Sequence, residues 1–416
     1  MPKTMAPQRD PVLDAAPGRW RGVGGAIRLA AILDAAMAAA IGMPFNVEAV
    51  ASRFGGSNGD YGTLAAIELL AVAAGSLAGA RLAACGPRPI ALGAMLLVLL
   101  ANIVATMAGS IGALMAIRLA AGLGGGVVIA VVMFAAGRSD RPHIVFGILN
   151  SSVGVLGIVI SFALSRLVAA HDILGAYGTY AALALLSLPA IATLSVGRST
   201  GETESVAGGP LGLWRWVPLL GIGIVFLGHS ALAVFIVRIG VGTGVAMATL
   251  GYVFVAISGL SVLLPMISAV YGVRMAPLPL VAGLLGLLAV AANVMANAGD
   301  LAVFALGCTV YAVLPTAMMP VVLTTFARRD PSGRLTGTHP AFVTFGGAVA
   351  PLISGRIVDL GGYGAVAWMS SLCFLLGGTL LAGTLRSPAS EARPEEAPGP
   401  IPAPGAGFGE RSPDIQ

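Results

Sequence analysis

Four ionisable side chains stand inside long apolar stretches of the chain: Asp34, Glu68, Arg118 and His229. Charge is costly to bury in hydrocarbon, so an ionisable residue in a membrane-length run marks a functional site by default. Arg118 carries a planar fork of donors suited to a carboxylate or phosphate; its structural alternative is helix locking through carbonyl contacts. Asp34 has the chemistry of a proton or cation carrier, or of a carboxylate that caps a helix or meets an arginine. Ile41 and Glu48 follow it at seven-residue intervals and share roughly one helical face. Glu68 lies on the Gly75/Gly79 stripe, a helix-packing face, at the depth of Arg118. That placement predicts an ion pair between them, either a switchable gate or a permanent strut. His229 titrates near physiological pH and suits a proton carrier or solute contact; a lone histidine equally reads as a satisfied hydrogen-bonding residue. Arg238, near the end of the same run, reads as a snorkelling side chain. Asn150, Tyr252, Tyr311 and Thr316 are weaker polar candidates, each also explicable by packing with a local hydrogen bond. Pro315 and Pro320 predict a bend in their helix.

The elements that must position these residues follow from composition. Of 416 residues, 57% are hydrophobic and 10% charged, against about a quarter charged in an ordinary globular chain. Water could not solvate such a fold. Apolar runs fall at 27–49, 61–82, 89–109, 111–136, 144–168, 174–195, 215–239, 245–268, 276–297, 300–326, 337–358 and 364–385, each near the length a bilayer-spanning helix needs. Continuous runs exclude the alternation of a barrel strand. The expected fold is an all-α membrane protein with twelve transmembrane helices in two pseudo-symmetric six-helix bundles. Residues 1–25 are expected as a cytoplasmic N-terminal tail, 26–196 as the first bundle, 197–213 as a cytoplasmic linker, 214–386 as the second bundle, and 387–416, rich in Pro, Ala, Gly and Glu, as a disordered cytoplasmic tail.

The cations set the orientation. With both termini cytoplasmic, eighteen of the 23 Lys and Arg fall on the inner side, four fall outside, and Arg118 alone sits within a run, as the positive-inside rule requires. The net charge of +5 therefore reports topology; one lysine and no basic stripe interleaved with aromatics argue against nucleic acid. Cys85, Cys308 and Cys373 are dispersed, which disfavours a disulfide framework or zinc site. No cleavable signal peptide is expected. The histidines form no H-E-x-x-H, no phosphate-binding G-x-x-x-x-G-K-[ST] loop is present, and a lone G-x-S-x-G match at Gly55–Gly59 lacks the strand–turn–helix setting of a hydrolase. Neither a cofactor, a metal nor an enzymatic activity is expected.

The two halves share a short turn: Ala83-Ala-Cys-Gly86-Pro-Arg88 and Ala269-Val-Tyr-Gly272-Val-Arg274, in which glycine permits the bend and arginine anchors it. With Gly75, Gly79, Gly86 and Arg88 in register, the first turn resembles the span 2–3 signature of the major facilitator superfamily, G-x-x-x-G-x-x-x-D-R-x-G-R-R. Ala83 and Ala84 replace its acid and first arginine. Arg118-Leu-Ala-Ala-Gly122-Leu-Gly-Gly-Gly126 is similar to the family's R-x-x-x-G-x-G-x-G pattern in span 4, and Gly346 to Gly355 to its span 11. The resemblance covers about residues 26–386. It implies two bundles around a cavity lined by spans 1, 4, 7 and 10, working by alternating access. Span 5, around Asn150, lacks the proline of the G-P-x-x-G-G element of drug–proton exchangers.

The expected function is secondary transport of a small organic solute, an organic anion among the candidates, coupled to protons through Asp34, Glu68 and His229. The expected setting is the cell inner membrane, with the lipid bilayer, the solute and protons as partners and a monomeric chain. Efflux of amphipathic compounds is the alternative reading; a non-transporting receptor or an intramembrane enzyme is less well supported.

Overall fold

The computed structural model describes residues 23–139, 142–194, 213–271, 275–330 and 334–386. Most of the expected tails and linker, and Gly272 and Arg274 of the second shared turn, lie outside these residues. The described chain is helical, with no strand. In order it forms α1 (Val23–Ile41), α2 (Met43–Phe54), α3 (Asn58–Leu82), a single 3-10 turn (Ala83–Cys85), α4 (Pro87–Ala105), α5 (Ile111–Gly137), α6 (Pro142–Ala192), α7 (Leu213–Ala233), α8 (Ile236–Gly242), α9 (Met247–Tyr271), α10 (Pro277–Ala296), α11 (Leu301–Arg329) and α12 (Arg334–Leu385). By length and composition, ten helical stretches are apolar enough to cross a membrane.

Two of these are about twice the length of a span, and each breaks once. In α6, of 51 residues, Asp172 takes φ 46°, ψ −125°; in α12, of 52 residues, Gly362 takes φ 71°, ψ −176°. The chain folds back at both points. Beyond the first break, Gly175 packs onto the backbone of Leu167, eight residues earlier, which a straight helix would hold about 12 Å away. Ser152 meets Asp34 while Thr193 meets Arg28, so the two limbs of α6 run in opposite directions along α1. Likewise Phe342 meets Gly223 and Gly347 meets Ser230, whereas Gly377 packs on Gly221 and Ser370 bonds the Gly228 carbonyl, so the first limb of α12 runs parallel to α7 and the second antiparallel to it.

Local chemistry sets the helix starts. Ser57 accepts from the Asp60 backbone N–H while Asp60 accepts from the Ser57 N–H, a capping box for α3. The Gly55–Gly59 match is this cap. Ser110 and Asp300 cap α5 and α11. Gly86, at φ 154°, turns the chain sharply into α4, whose first residue is Pro87. The run expected as one span at 27–49 is interrupted at Gly42, after which α2 begins with Pro44 in its first turn. The run 215–239 similarly divides into α7 and α8.

Lipid offers no hydrophobic drive for helix association, so close packing must supply it. α3 and α5 interlock through glycine. Gly75 lies against the Leu123 backbone, Gly79 against Val127, Gly122 against the Glu68 carbonyl and Gly126 against the Val72 carbonyl, each too near to admit a Cβ. α1 packs on α5 and α6, α3 on α5, and α4 on α5 and α6; α7 packs on α12, α9 on α11, and α10 on α11 and α12. Among the described residues, the main contacts between these two groups are α3 with α12, α6 with α9, and α2 with α8.

Candidate functional site

Arg118 and Glu68 are 1% and 3% exposed, and they are partners. Arg118 Nε donates to Glu68 Oε2 at 3.0 Å, and Nη2 donates to Oε1. Nη1 donates to Asn102 Oδ1 at 2.8 Å, and the guanidinium lies 4.9 Å from the Tyr177 ring centroid. The fork geometry matches a carboxylate, and pairing cancels the charge that burial would otherwise penalise. Each nitrogen of Arg118 thus has a protein partner. The place that sequence reasoning offered to a solute carboxylate is taken by Glu68. Asn102, on α4, was missed although it too is a polar residue in an apolar run.

Asp34 sits apart, accepting from Ser152 Oγ at 3.0 Å. The face shared with Ile41 and Glu48 does not survive as a cluster, because the helix breaks at Gly42. Glu48 instead faces Arg238, whose Nη1 lies 3.5 Å from Oε2. Arg238, read from sequence as a snorkelling side chain, bridges the two helix groups. Its Nε donates to Asn58 Oδ1 at 3.2 Å, and its guanidinium lies 5.2 Å from the Tyr61 ring centroid.

Asn58 begins α3 and joins a second cross-group contact. Its backbone N–H and Nδ2 both donate to Asp359 Oδ1 at 2.9 Å, and the Gly59 N–H donates to Oδ2 at 2.8 Å. An anion thus sits on the positive end of a helix, supplied by α12. Below it Gly62 lies against the Pro351 carbonyl and Gly355 against the Asn58 carbonyl. On the opposite flank Arg166 Nη2 donates to Tyr252 Oη at 2.9 Å, and Gly251 packs against Ser165.

Let the near end be the one carrying Arg28, Thr193, Arg215, Asp330 and Arg386. Then hydrogen bonds and an ion pair join the groups toward the far end, where Glu48, Asn58, Arg166, Arg238, Tyr252, Asp359 and Tyr363 lie.

Between the groups, beneath these contacts, lie two cavities. One, of about 190 Å³, is bordered by Phe45, Gly157, Ser161, His229, Phe254, Ser258 and Tyr311 among others; the second, of about 320 Å³, is bordered by Met43, Leu69, Ser230, Thr344 and Gly347 among others. They share Ile41, Pro44 and Ala233 as walls. The structure brings His229 and Tyr311 together: their rings stack at 4.9 Å between centroids with planes 20° apart. Tyr311 Oη donates to the carbonyls of His229 at 2.5 Å and Gly228 at 3.2 Å, which fixes the phenol. His229 Nε2 is buried and without a hydrogen-bond partner.

The remaining candidates are dispersed. Asn150 is exposed on α6, and Thr316 bonds back to the Val313 carbonyl of its own helix. Arg88 is exposed at the near end beside Gly86. Gly75, Gly79, Gly122 and Gly126 form the α3–α5 contact. Ser161 and Ser258 had no sequence signal, because a serine in an apolar helix ordinarily bonds its own backbone.

The helices and the cavities between the two helix groups define the class, a polytopic helical membrane protein. The chain has the major facilitator superfamily transporter fold. No protein-family model matches it, and no curated protein matches its sequence. Among solved structures it is similar to a POT family transporter in complex with 5-aminolevulinic acid, at a TM-score of 0.71 and 12% identity, covering 89% of this chain and 99% of that one. It is similar to a bacterial homolog of the human lysosomal transporter Spinster in an inward-facing, occupied conformation, at 0.68 and 13%, covering 86% and 94%. A D-xylose-proton symporter aligns at 0.64 and 12%, covering 86% and 97%. These relatives in fold are transporters, not enzymes.

Proposed function

We propose that the chain is a secondary transporter that moves a small organic solute across the cytoplasmic membrane by alternating access. In this reading the helical limbs make twelve crossings in two six-helix bundles, both termini face the cytoplasm, and the monomer is the working unit. The observation that carries it is the placement of the cavity. It lies between the two helix groups at mid-depth, beneath a far end sealed by Asp359, Asn58, Glu48 and Arg238. A solute held there reaches one side at a time if the groups rock against each other.

Proton coupling is part of the proposal. Asp34 and His229 are ionisable groups within the helical cores that stand outside the ion pairs among the described residues, and the likeness to a D-xylose-proton symporter is in keeping with it. Glu68 and Arg118 are assigned a structural and conformational role, since each holds the other. The apolar walls of both cavities favour efflux of amphipathic compounds as the second reading.

The test is flux. The purified chain in sealed proteoliposomes, under an imposed pH gradient, is offered organic acids, sugars and amphipathic drugs. Transport of at least one class above that of protein-free vesicles, collapsing when the gradient is dissipated, is expected. Flux indifferent to the gradient would end the coupling proposal, and no flux in any class would end the transporter reading.

A further inference from the structure

The chemistry of the central cavity restricts what it can hold. Its polar lining consists of Ser161, Ser258, His229 and the Tyr311 ring, among walls that are otherwise apolar or backbone. The Tyr311 hydroxyl is spent on the Gly228 and His229 carbonyls. That leaves three groups facing the space: His229 Nε2, which has no partner, and the hydroxyls of Ser161 and Ser258, neither of which makes a hydrogen bond among the described residues. Among the described residues, no carboxylate, lysine or arginine borders this cavity or its neighbour of about 320 Å³. Two nearby ion pairs are self-matched, buried Arg118 with Glu68 and part-buried Arg238 with Glu48; Asp34, held by Ser152, borders neither cavity.

We propose that the bound solute is uncharged: a small, mainly apolar molecule with one hydrogen-bonding head that meets His229 Nε2 and the Ser161 and Ser258 hydroxyls. This deepens, and rests on, the transporter reading above. Beside a neutral His229, an ionised head would lose its water in this cavity without gaining a counter-charge, a cost far above that of a neutral group that finds a hydrogen bond. A neutral head gains a bond that the empty cavity lacks, and leaving His229 Nε2 unsatisfied has its own cost. The Tyr311 contact orients the ring. With the phenol locked onto the α7 carbonyls and stacked on the imidazole, the imidazole is held at a fixed tilt beside the space. The organic-anion class expected from Arg118 loses its support, because Glu68 occupies that guanidinium and Arg118 does not border either cavity.

The discriminating probes share one ring and differ in the head: benzyl alcohol, benzoate and benzylamine. The full chain, in nanodiscs with ¹⁵N-labelled histidine, is titrated with each at a pH where the last two are ionised. The His229 resonances are identified by their loss in His229→Asn. Benzyl alcohol is expected to shift them saturably, with benzoate and benzylamine at least tenfold weaker. In the Ser161→Ala, Ser258→Ala variant, checked for folding by its thermal transition, binding is expected to weaken roughly fivefold or more, the worth of one or two hydrogen bonds. Three outcomes overturn the proposal: an ionised probe binding as well as the alcohol, a shift linear in probe as bulk partitioning into lipid gives, or no response at His229. The readout is binding, so any of these leaves the flux assay to judge the transporter reading separately.

Discussion

The carboxylate of Asp359 caps the first turn of α3 from the other helix group, taking the Asn58 and Gly59 backbone N–H groups at 2.9 and 2.8 Å. A capping carboxylate normally comes from the residue just before its helix, and here Asp60 and Ser57 already supply that local box. Asp359 adds a long-range cap from the other helix group; in the proposed alternating-access cycle it forms only with the far end shut and biases the equilibrium toward that state.

Loss of a cap costs about 0.5–2 kcal/mol, which corresponds to a population shift of roughly two- to thirtyfold. Asp359→Ala is therefore expected to raise the labelling rate of Ile41→Cys by a membrane-impermeant thiol reagent added on the far side, in a background free of native cysteines. Ile41 borders both cavities, so its accessibility reports the opening. An unchanged rate would show that Asp359 is not part of the seal.

Glu68 and Arg118 should behave as a buried pair. Removing either partner strands a charge, at a cost of about 3–5 kcal/mol. Glu68→Ala and Arg118→Ala are thus expected to destabilise strongly in reversible unfolding from mixed micelles. A double replacement by apolar residues of similar volume, Glu68→Met with Arg118→Met, should cost much less than the sum of the singles. Additive losses would mean that the two side chains act independently.

The α3–α5 crossing tolerates no side chain at its glycines. Gly126→Val would drive a side chain into the Val72 carbonyl and the Ser76 backbone, and overpacking of this kind costs about 1–3 kcal/mol or more. Folded yield and thermal stability should fall. Gly137→Ala, at a position with open space around the built Cβ, is the matched control and should leave both unchanged.

Much of this was legible in the sequence because the information is local. Apolar runs, the arginine distribution and the glycine spacing near Arg118 each report on one helix, and Glu68 and Arg118 could be paired by comparing depths. The rest depends on tertiary contact. Asp359 lies 301 residues from Asn58, so no window of sequence connects them. The break at Gly42 falls within an uninterrupted apolar run, in which hydropathy cannot register a change of helix direction. His229 and Tyr311 were each visible as polar candidates, but their stacking is a tertiary side-chain contact between α7 and α11. Ser161 and Ser258 matter only because a cavity opens beside them.

The most direct test of the account is whether the two ends move in opposition. Nitroxide pairs at the exposed far-end positions Arg53 and Leu360, and at the exposed near-end positions Arg81 and Arg328, report the separation of the helix groups by pulsed electron resonance in nanodiscs. The account predicts two populations in each pair: far-end distances lengthen as near-end distances shorten when solute or pH is changed. A single unchanging distance at both ends, under conditions that support flux, would contradict it.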